Sequence, residues 1–190
     1  MSNTKVSESE IEESYKKILE YIGEDSDREG LIETPKRIRK ALLEWFHGYN
    51  QNPEEILNKM FKEVNGYSQM IILKNIDFES HCEHHMAPII GKAHIAYIPN
   101  NLVVGISKLA RLVDCFAKRF QIQERMTNDI SDTLYKVLDC KGVAVLIEAE
   151  HFCISSRGIK KKGSSMITYS LNGIFENSNE RQEFFKLVTK

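Results

Sequence analysis

The sequence lacks both a long apolar run and an excess of charge of either sign. Its 190 residues include 26 Lys and Arg against 27 Asp and Glu, so the formal net charge is −1. A balance this close to zero argues against general attraction to nucleic acid or to an anionic membrane, and any anion site must be local. No segment is long or apolar enough to cross a bilayer, and the polar start MSNTKVSESEIEES has no signal-peptide core. We therefore expect a cytoplasmic protein.

Cysteine is also scarce, with four residues in the chain. In a reducing compartment they do not form a disulfide frame, so some of them are free to bind metal. Cys115 lies among helix-spaced apolar residues and Cys140 lies beside a turn, which is typical of small buried side chains. Cys82 and Cys153 instead have histidines close by. The chain is long enough for one well-filled core and an extra helical segment.

Hydrophobic spacing predicts an α+β fold that begins with helices. The expected helices cover 10–23, 34–48, 53–61, 105–120, 121–138 and 179–188. The expected strands cover 70–80, 91–99, 142–154 and 165–175, and NGY at 65–67 predicts a turn. Thr34 and Ser107 are the expected caps of the second and fourth helices. Paired strands around a long helical hairpin favour a mostly antiparallel sheet of four strands over alternating βαβ units.

Two short motifs contain groups that bind transition metals. In CEHH, Cys82 and His85 are three residues apart, so one turn of chain brings both side chains to a single ion while His84 points elsewhere. Along the third predicted strand, alternation places His151 and Cys153 on the same face as a row of apolar residues. Two thiolates and one imidazole favour zinc, and three protein ligands leave a fourth position for water, as in catalytic zinc sites.

The same region also supplies candidate bases. Two thiolates cancel the formal charge of the ion, so its water is less acidified than on a three-histidine site, and a nearby base helps. His84 and His151 are the candidates. The alternative is that the histidines are hydrogen-bond partners in loops and that Cys153 is a core thiol, because motif matches carry false positives.

Basic and polar groups near helix starts and in one loop predict sites for phosphate and for a purine base. In ISSRGIKKKGSS, glycines and cations can cradle phosphate, and a helix start also favours anions. At the helix break in QIQERM, a carboxylate can accept two hydrogen bonds from a guanine edge. For each group the alternative is a solvated surface or a capping role. The groups are Arg37, Ser107, Lys108, Arg111, Gln121, Gln123, Glu124, Arg157 and the lysines at 160–162.

Taken together, GLIETPKRIRK, FESHCEHHMAPIIGKAHIAYIP, GISKLARLVDCFAKRFQIQERMT and EAEHFCISSRGIKKKGSSMIT closely resemble GTP cyclohydrolase I of the zinc-dependent type. The similarity runs from about 10 to 187, and CEHH with HxC, SKxxR and QxQER is a highly specific combination. The resemblance implies the T-fold, or tunnelling fold, in which antiparallel sheets and helix pairs of several subunits form an oligomeric barrel. It divides the chain into an N-terminal helical segment, 1–64, and a T-fold catalytic domain, 65–190, that act as one unit.

The resemblance also implies a reaction and its metal centre. GTP and water are converted to 7,8-dihydroneopterin triphosphate and formate, the first step of tetrahydrofolate and pterin biosynthesis. Cys82, His85 and Cys153 are the implied zinc ligands, and a zinc-activated water attacks C8 of the guanine. His84 matches the catalytic histidine of the family and His151 matches a neighbouring proton donor.

The implied substrate contacts form three groups, placed at subunit interfaces of a homodecamer. Glu124, with Gln123, reads the guanine edge. Ser107 and Lys108 lie near the ribose and the phosphates. The triphosphate contacts, which can come from different subunits, are Arg37, Arg111 and Arg157. One departure from the family pattern is Tyr169, which stands where many members have a small residue.

Two other classes of function remain open from the sequence. A zinc-dependent purine or nucleoside deaminase also uses His and Cys ligands, but its H-x-E and P-C-x-x-C pattern is absent here. A non-catalytic T-fold protein is the second alternative, because fold alone does not give function. The complete set of matched residues argues against it.

Overall fold

The secondary structure is a mixed set of helices and strands around one main sheet, as seen in a computed structural model that describes residues 6–62 and 66–189. The helices are α1 Glu8–Tyr21, α2 Thr34–Trp45, α3 Pro53–Ile56, α4 Ile106–Ala117, α5 Gln123–Leu138, α6 Phe152–Ser155 and α7 Ser178–Val188. The strands are β1 Met60–Phe61, β2 Ile71–Cys82, β3 Pro88–Ile98, β4 Val103–Val104, β5 Phe120–Gln121, β6 Gly142–His151 and β7 Met166–Gly173. The turn expected at 65–67 and the domain boundary after 64 lie partly or wholly outside the described residues.

The main sheet confirms the predicted four-stranded antiparallel arrangement. Its strands lie in the order β2, β3, β6, β7, and each neighbouring pair is antiparallel. The short β5 adds a parallel edge beside the end of β2, where His81 pairs with Phe120 and Cys82 with Gln121. At the start of β3, His81 pairs with Pro88 and Ile89 pairs with His151, so the ends of β2 and β6 are both close to the turn before β3. The topology therefore gathers two distant motifs at one edge of the sheet.

Apolar side chains cover both faces of this sheet. Helices α4 and α5 pack on one face, where alternate residues of β6, including Val143, Val145 and Ile147, join the larger buried cluster. On the other face, Ala144 and Leu146 belong to a second cluster that includes Phe184 of α7. A strand buried on both sides reads as a nearly continuous apolar run, as β6 does. The sheet edge that gathers the two motifs is therefore supported by a strand that is packed on both faces.

Several predicted boundaries of the helices are wrong. Helix α1 begins two residues early because Ser7 and Glu10 form a capping box. Thr34 is the first helical residue rather than the cap, and Gly105 rather than Ser107 caps α4. The second helix ends at Trp45, and Gly48 lies in a 3-10 turn, His47–Asn50, that follows it.

The predicted helix over 53–61 is also too long. It ends at Ile56, and Met60–Phe61 instead pairs with Val103–Val104 as a separate two-stranded ladder. The helical hairpin is confirmed, with its break at the short strand Phe120–Gln121. Tyr169 is 59% exposed on β7 and packs edge-to-face on Phe185 of α7, with ring centroids 5.2 Å apart. The larger side chain at this position is thus accommodated at the surface.

Within the described ranges, no helix combines the length and the apolar character that a membrane span requires.

Candidate metal centre and nucleotide site

The turn between β2 and β3 carries the first half of the metal-binding group. It closes through hydrogen bonds from the Cys82 N–H to the Ala87 carbonyl, at 2.8 Å, and from the Met86 N–H to the Cys82 carbonyl, at 2.9 Å. Met86 adopts a left-handed conformation with φ of 54°, which reverses the chain. Cys82 is buried at the end of β2, whereas His84 and His85 are exposed on the turn.

Cys82, His85 and Cys153 converge from two distant parts of the chain. One ligand atom of each lies within 4.8 Å of the other two. A tetrahedral zinc ion with Zn–S bonds of about 2.3 Å separates two ligand sulfurs by about 3.8 Å, so these atoms can share one ion. No fourth Asp, Glu, His or Cys joins the group among residues 6–62 and 66–189. The group can therefore hold a metal ion with one position left for another ligand.

Cys153 reaches this group by a different route from the one that strand alternation predicted. The strand β6 ends at His151, and Phe152–Ser155 forms one helical turn, so the expectation of a strand up to 154 is wrong. Burial raises the pKa of the Cys153 thiol, and the neighbouring Cys82 raises it further, while Arg157 acts in the opposite direction. A thiol that stays protonated without metal releases its proton when a cation binds.

His84 lies beside the metal-binding group rather than in it. Its Nδ1 atom is 3.7 Å from the Cys82 sulfur, and its Nε2 atom is 3.9 Å from a carboxylate oxygen of Glu83. The side chain is 63% exposed, so it can meet a substrate that approaches from solvent. This position suits a proton acceptor or donor next to the ion.

His151 is held by Gln123, which is fully buried. The side-chain N–H groups of Gln123 face three acceptors on neighbouring strands, the carbonyls of Ile147 and Met166 and the hydroxyl of Thr168, at 2.9–3.1 Å. The amide oxygen therefore faces His151, at 2.7 Å from Nε2. Because that oxygen only accepts, the proton of neutral His151 lies on Nε2, and Nδ1 remains free to accept another.

The next residue, Glu124, differs from Gln123 in its exposure to solvent. It is exposed at the start of α5. Burial of His151 lowers the pKa of its ring, and the negative charge of Glu124 offsets part of that decrease. The two neighbours thus differ: Gln123 is occupied by protein groups, while Glu124 is available to a ligand. Gln121, the third polar residue singled out at this helix break, is buried and donates to the Phe116 carbonyl at 2.9 Å.

A small cavity of about 190 Å³ adjoins His151 and Cys153, with Ile154, Ser164, Ser165 and Met166 in its walls. Arg157 follows α6 and is exposed, as are the lysines at 160–162. Arg157 is close enough to Cys153 to offset part of the rise in the pKa of its thiol. The basic loop is therefore next to the metal-binding group, as its position in the sequence suggested.

Lys108 and Arg111 line a different cavity. Its volume is about 430 Å³, and its other walls are His47, Gln51, Ile56 and Asp114. Ser107 is exposed in the first turn of α4, and Arg37 is exposed on α2. The described lining of this cavity includes none of the three metal-binding residues. Within one chain, the cavity lined by Lys108 and Arg111 is thus distinct from the cavity that adjoins His151 and Cys153.

Two residues next to the site, Glu83 and Arg125, were not predicted from the sequence. Glu83 lies inside CEHH and Arg125 ends QxQER, and the Arg125 Nη2 atom is 2.5 Å from a Glu83 carboxylate oxygen. Their positions inside the two motifs were the only available signal, because the contact spans 42 residues and depends on the pairing of β2 with β5.

Comparisons with known proteins match nearly the whole chain to one family. Residues 11–189 match the family GTP cyclohydrolase I. GTP cyclohydrolase 1 of Brucella anthropi is 49% identical over 186 residues, which cover 98% of this chain and 87% of the relative. GTP cyclohydrolase 1 of Brucella canis is 52% identical over 185 residues, with 97% and 87% covered. Among solved structures, an archaeosine synthase QueF-Like in the apo form gives a TM-score of 0.46 at 18% identity, over 55% of this chain and 93% of that one.

The family match covers nearly the whole chain and includes the motifs CEHH, HxC, SKxxR and QxQER. The resemblance that those motifs carried is therefore confirmed, and this chain belongs to the enzyme family GTP cyclohydrolase I.

Proposed function

We propose that this protein hydrolyses GTP at guanine C8, releasing formate and forming 7,8-dihydroneopterin triphosphate at the entry to tetrahydrofolate and pterin biosynthesis. The observation that carries the proposal is the convergence of Cys82, His85 and Cys153 beside two further histidines, His84 and His151. Membership of the family and the names of its relatives support the same reaction.

Zinc is the proposed cofactor, because two thiolates and an imidazole form a soft ligand set. The separations within the group suit a tetrahedral ion, and three protein ligands are typical of catalytic rather than structural zinc. When bound, the ion supplies the Lewis acidity that activates water for attack on C8. Cys82, His85 and Cys153 are the residues that would hold it.

The two remaining histidines are proposed to move protons. His84 is exposed beside Cys82, where it can exchange a proton with the reacting base. The His151 Nε2–H donates to the Gln123 amide oxygen, so Nδ1 is the atom that takes up and returns a proton. We assign these two side chains to the proton transfers at guanine N7 and at the ribose ring oxygen. The hydrogen bond to Gln123 fixes the ring for this role.

Substrate recognition is proposed to use the groups that the resemblance implied. Glu124 is exposed and can accept two hydrogen bonds from the guanine edge, while Gln123 assists through His151. Ser107 and Lys108, near the start of α4, are assigned to the ribose and phosphates. The triphosphate is assigned to Arg37, Arg111 and Arg157, which are all exposed.

An assembly of several subunits explains why these groups are separated in one chain. Lys108 and Arg111 line a cavity without the metal-binding residues, so the complete site requires that cavity to face the metal group of a neighbouring chain. We propose a homo-oligomer, a decamer by family resemblance, with its active sites at subunit interfaces. The cytoplasmic location expected from the sequence stays a prediction.

The direct test is incubation of zinc-loaded protein with GTP, with detection of formate and of a fluorescent pterin after oxidation. Formate and pterin should appear together. Release of ammonia without formate would instead identify a deaminase, and no turnover at full zinc occupancy would favour a non-catalytic protein. Cys153→Ala and His84→Ala should abolish product formation while GTP still binds.

A further inference from the structure

The turn that carries CEHH is attached to the first turn of α5 by one ion pair. Arg125 Nη2 lies 2.5 Å from Glu83 Oε2, and the other oxygen of the same carboxylate is 3.9 Å from His84 Nε2. Glu83 is flanked by a metal-binding cysteine and the exposed His84. Its carboxylate therefore connects α5 to the part of the turn that presents His84 and His85.

The arginine is itself held in place by several protein groups. Its Nε atom donates to the Gln121 side-chain oxygen at 3.2 Å, and Nη2 also donates to the Phe120 carbonyl at 3.2 Å. Gln121 is 3% exposed and is fixed by the Phe116 carbonyl. Arg125 is thus a positioned donor and not a freely moving surface side chain.

The backbone supports the same attachment. The Glu83 N–H donates to the Gln121 carbonyl at 3.1 Å, so main chain and side chain of one residue are both tied to 120–125. Beyond this point, His84 and His85 are exposed. A group that must bring a ligand to within 4.8 Å of two sulfurs needs such support, because the rest of the turn faces solvent.

We propose that Arg125 and Glu83 are positioning residues that hold the CEHH turn in the geometry required for metal binding and for placing His84; this role rests on the proposed function. The pair is partly exposed, 43% for Arg125 and 34% for Glu83, so it should contribute little to global stability. Its effect should appear in metal affinity, where partners behind the ligands commonly account for a factor of 10 to 100.

The test compares Arg125→Gln and Glu83→Gln with Lys136→Met. Lys136 is a matched control because it lies on the same helix and pairs across 2.7 Å with an exposed carboxylate, that of Glu54, away from the metal group. Zinc affinity is measured by competition with a chromophoric chelator. Amide hydrogen exchange of 82–87 and the melting temperature are measured on metal-free protein.

Arg125→Gln and Glu83→Gln should each weaken zinc binding by about tenfold or more. The exchange of the 82–87 amides should accelerate while the melting temperature stays near that of Lys136→Met. Because the two residues act through one contact, the double variant should lose no more affinity than either single variant. Arg125→Lys, which keeps the charge, should recover part of the loss.

Unchanged affinity, unchanged exchange or an additive loss in the double variant would each overturn the role of the pair. If Arg125→Gln fails to fold, Glu83→Gln decides, because it keeps the size of the side chain. A wild-type chain that binds no zinc would contradict the proposed function instead. The exchange rates, which need no metal, would then still decide whether the pair holds the turn.

Discussion

Gln123 accepts a hydrogen bond from His151 across 2.7 Å, and Gln123 has no exposed surface. The glutamine side chain also reaches three groups on β6 and β7, so it cannot rotate without breaking several bonds. This contact sets the tautomer of His151 from inside the protein. Its effect on catalysis should be separable from its effect on folding.

Gln123→Met should lower kcat by about 100-fold, within the range for a misplaced general acid or base. The KM for GTP should change much less, because Glu124 and the basic groups remain. The substitution also leaves the carbonyls of Ile147 and Met166 without this donor, so a stability loss of about 1–3 kcal/mol is expected. Steady-state kinetics and thermal unfolding measure both effects.

Asn172→Ala is the matched control for that loss of stability. The Asn172 amide also links β7 to α5, through Ser131 and Asp132, without contact to His151. It should lower the melting temperature but leave kcat near the wild-type value. Equal losses of kcat in the two variants would show that Gln123 acts only through folding.

Zinc affinity should rise with pH. Burial and the neighbouring Cys82 raise the pKa of Cys153 above its ordinary value, so the free thiol is protonated at neutral pH and must release its proton to bind metal. Each proton released increases the affinity by about tenfold per pH unit. Chelator competition at pH 6.5, 7.5 and 8.5 measures this slope, and a flat profile would exclude thiolate ligation.

The fold was predictable wherever local pattern and tertiary packing agree. The four main strands and the α4–α5 hairpin follow from hydrophobic spacing, which also reports the buried faces. The short strands Met60–Phe61 and Phe120–Gln121 were missed because two residues carry no periodicity, and each depends on a distant partner. The one-turn helix Phe152–Ser155 was missed because four residues directly after β6 show too little periodicity to separate them from the strand.

The residue types of the candidate site were predictable from the sequence, whereas the positions of the side chains that hold them in place were less so. The grouping of Cys82, His85 and Cys153 followed from motif chemistry and family resemblance, although the strand phase assumed for Cys153 was wrong. The buried position of Gln123 could not be read from QxQER, because polar residues at a helix start usually face solvent. Only the packing of α5 on β6 and β7 shows that this amide faces inward.

Acid should destabilise the fold partly through His94. Burial and the nearby Lys74 and Lys92 lower the pKa of His94, whereas Glu148 raises it. The unfolded chain then binds more protons than the folded one as pH falls below about 6.5, and stability decreases by at most about 1.4 kcal/mol per pH unit for this group. His94→Gln should reduce the decrease between pH 7.5 and 5.5 in urea unfolding at fixed protein concentration. An unchanged decrease would show that His94 titrates normally.

Gly48→Ala should destabilise the protein, because the added Cβ would lie 2.3 Å from the Cys115 carbonyl oxygen and 2.8 Å from that of Lys118. A backbone clash of this kind costs about 1–3 kcal/mol. Because the Gly48 turn carries His47 into the cavity of Lys108, the KM for GTP should also rise. Gly30→Ala is the control, since its added Cβ would come within 3 Å only of the flexible end of Arg28. If the two variants are equally stable, the added Cβ at position 48 is accommodated without a clash, and the prediction is wrong.

Interfacial active sites predict complementation between inactive variants. Cys153→Ala removes a proposed metal ligand and Arg111→Ala removes a proposed phosphate contact, so each homo-oligomer should be inactive. If one chain supplies the metal ligands and its neighbour supplies the arginine, a site is complete when the first chain has Cys153 and the second has Arg111. Mixed oligomers refolded together should then regain about a quarter of wild-type activity by random assortment of subunits. No recovery in mixed oligomers of normal size would place both residues in a site of a single chain.

The first turn of α5 also limits which insertions and replacements this enzyme can tolerate. Consecutive residues there face a half-buried histidine, the solvent where a base would bind, and the carboxylate of another loop. Each helical residue is rotated by about 100° from the last, so a single insertion in QER would rotate the residues before it relative to those after it, and the three side chains could no longer all keep their directions. Engineering of base selectivity at Glu124 is therefore restricted to replacement, with the length of this segment kept constant.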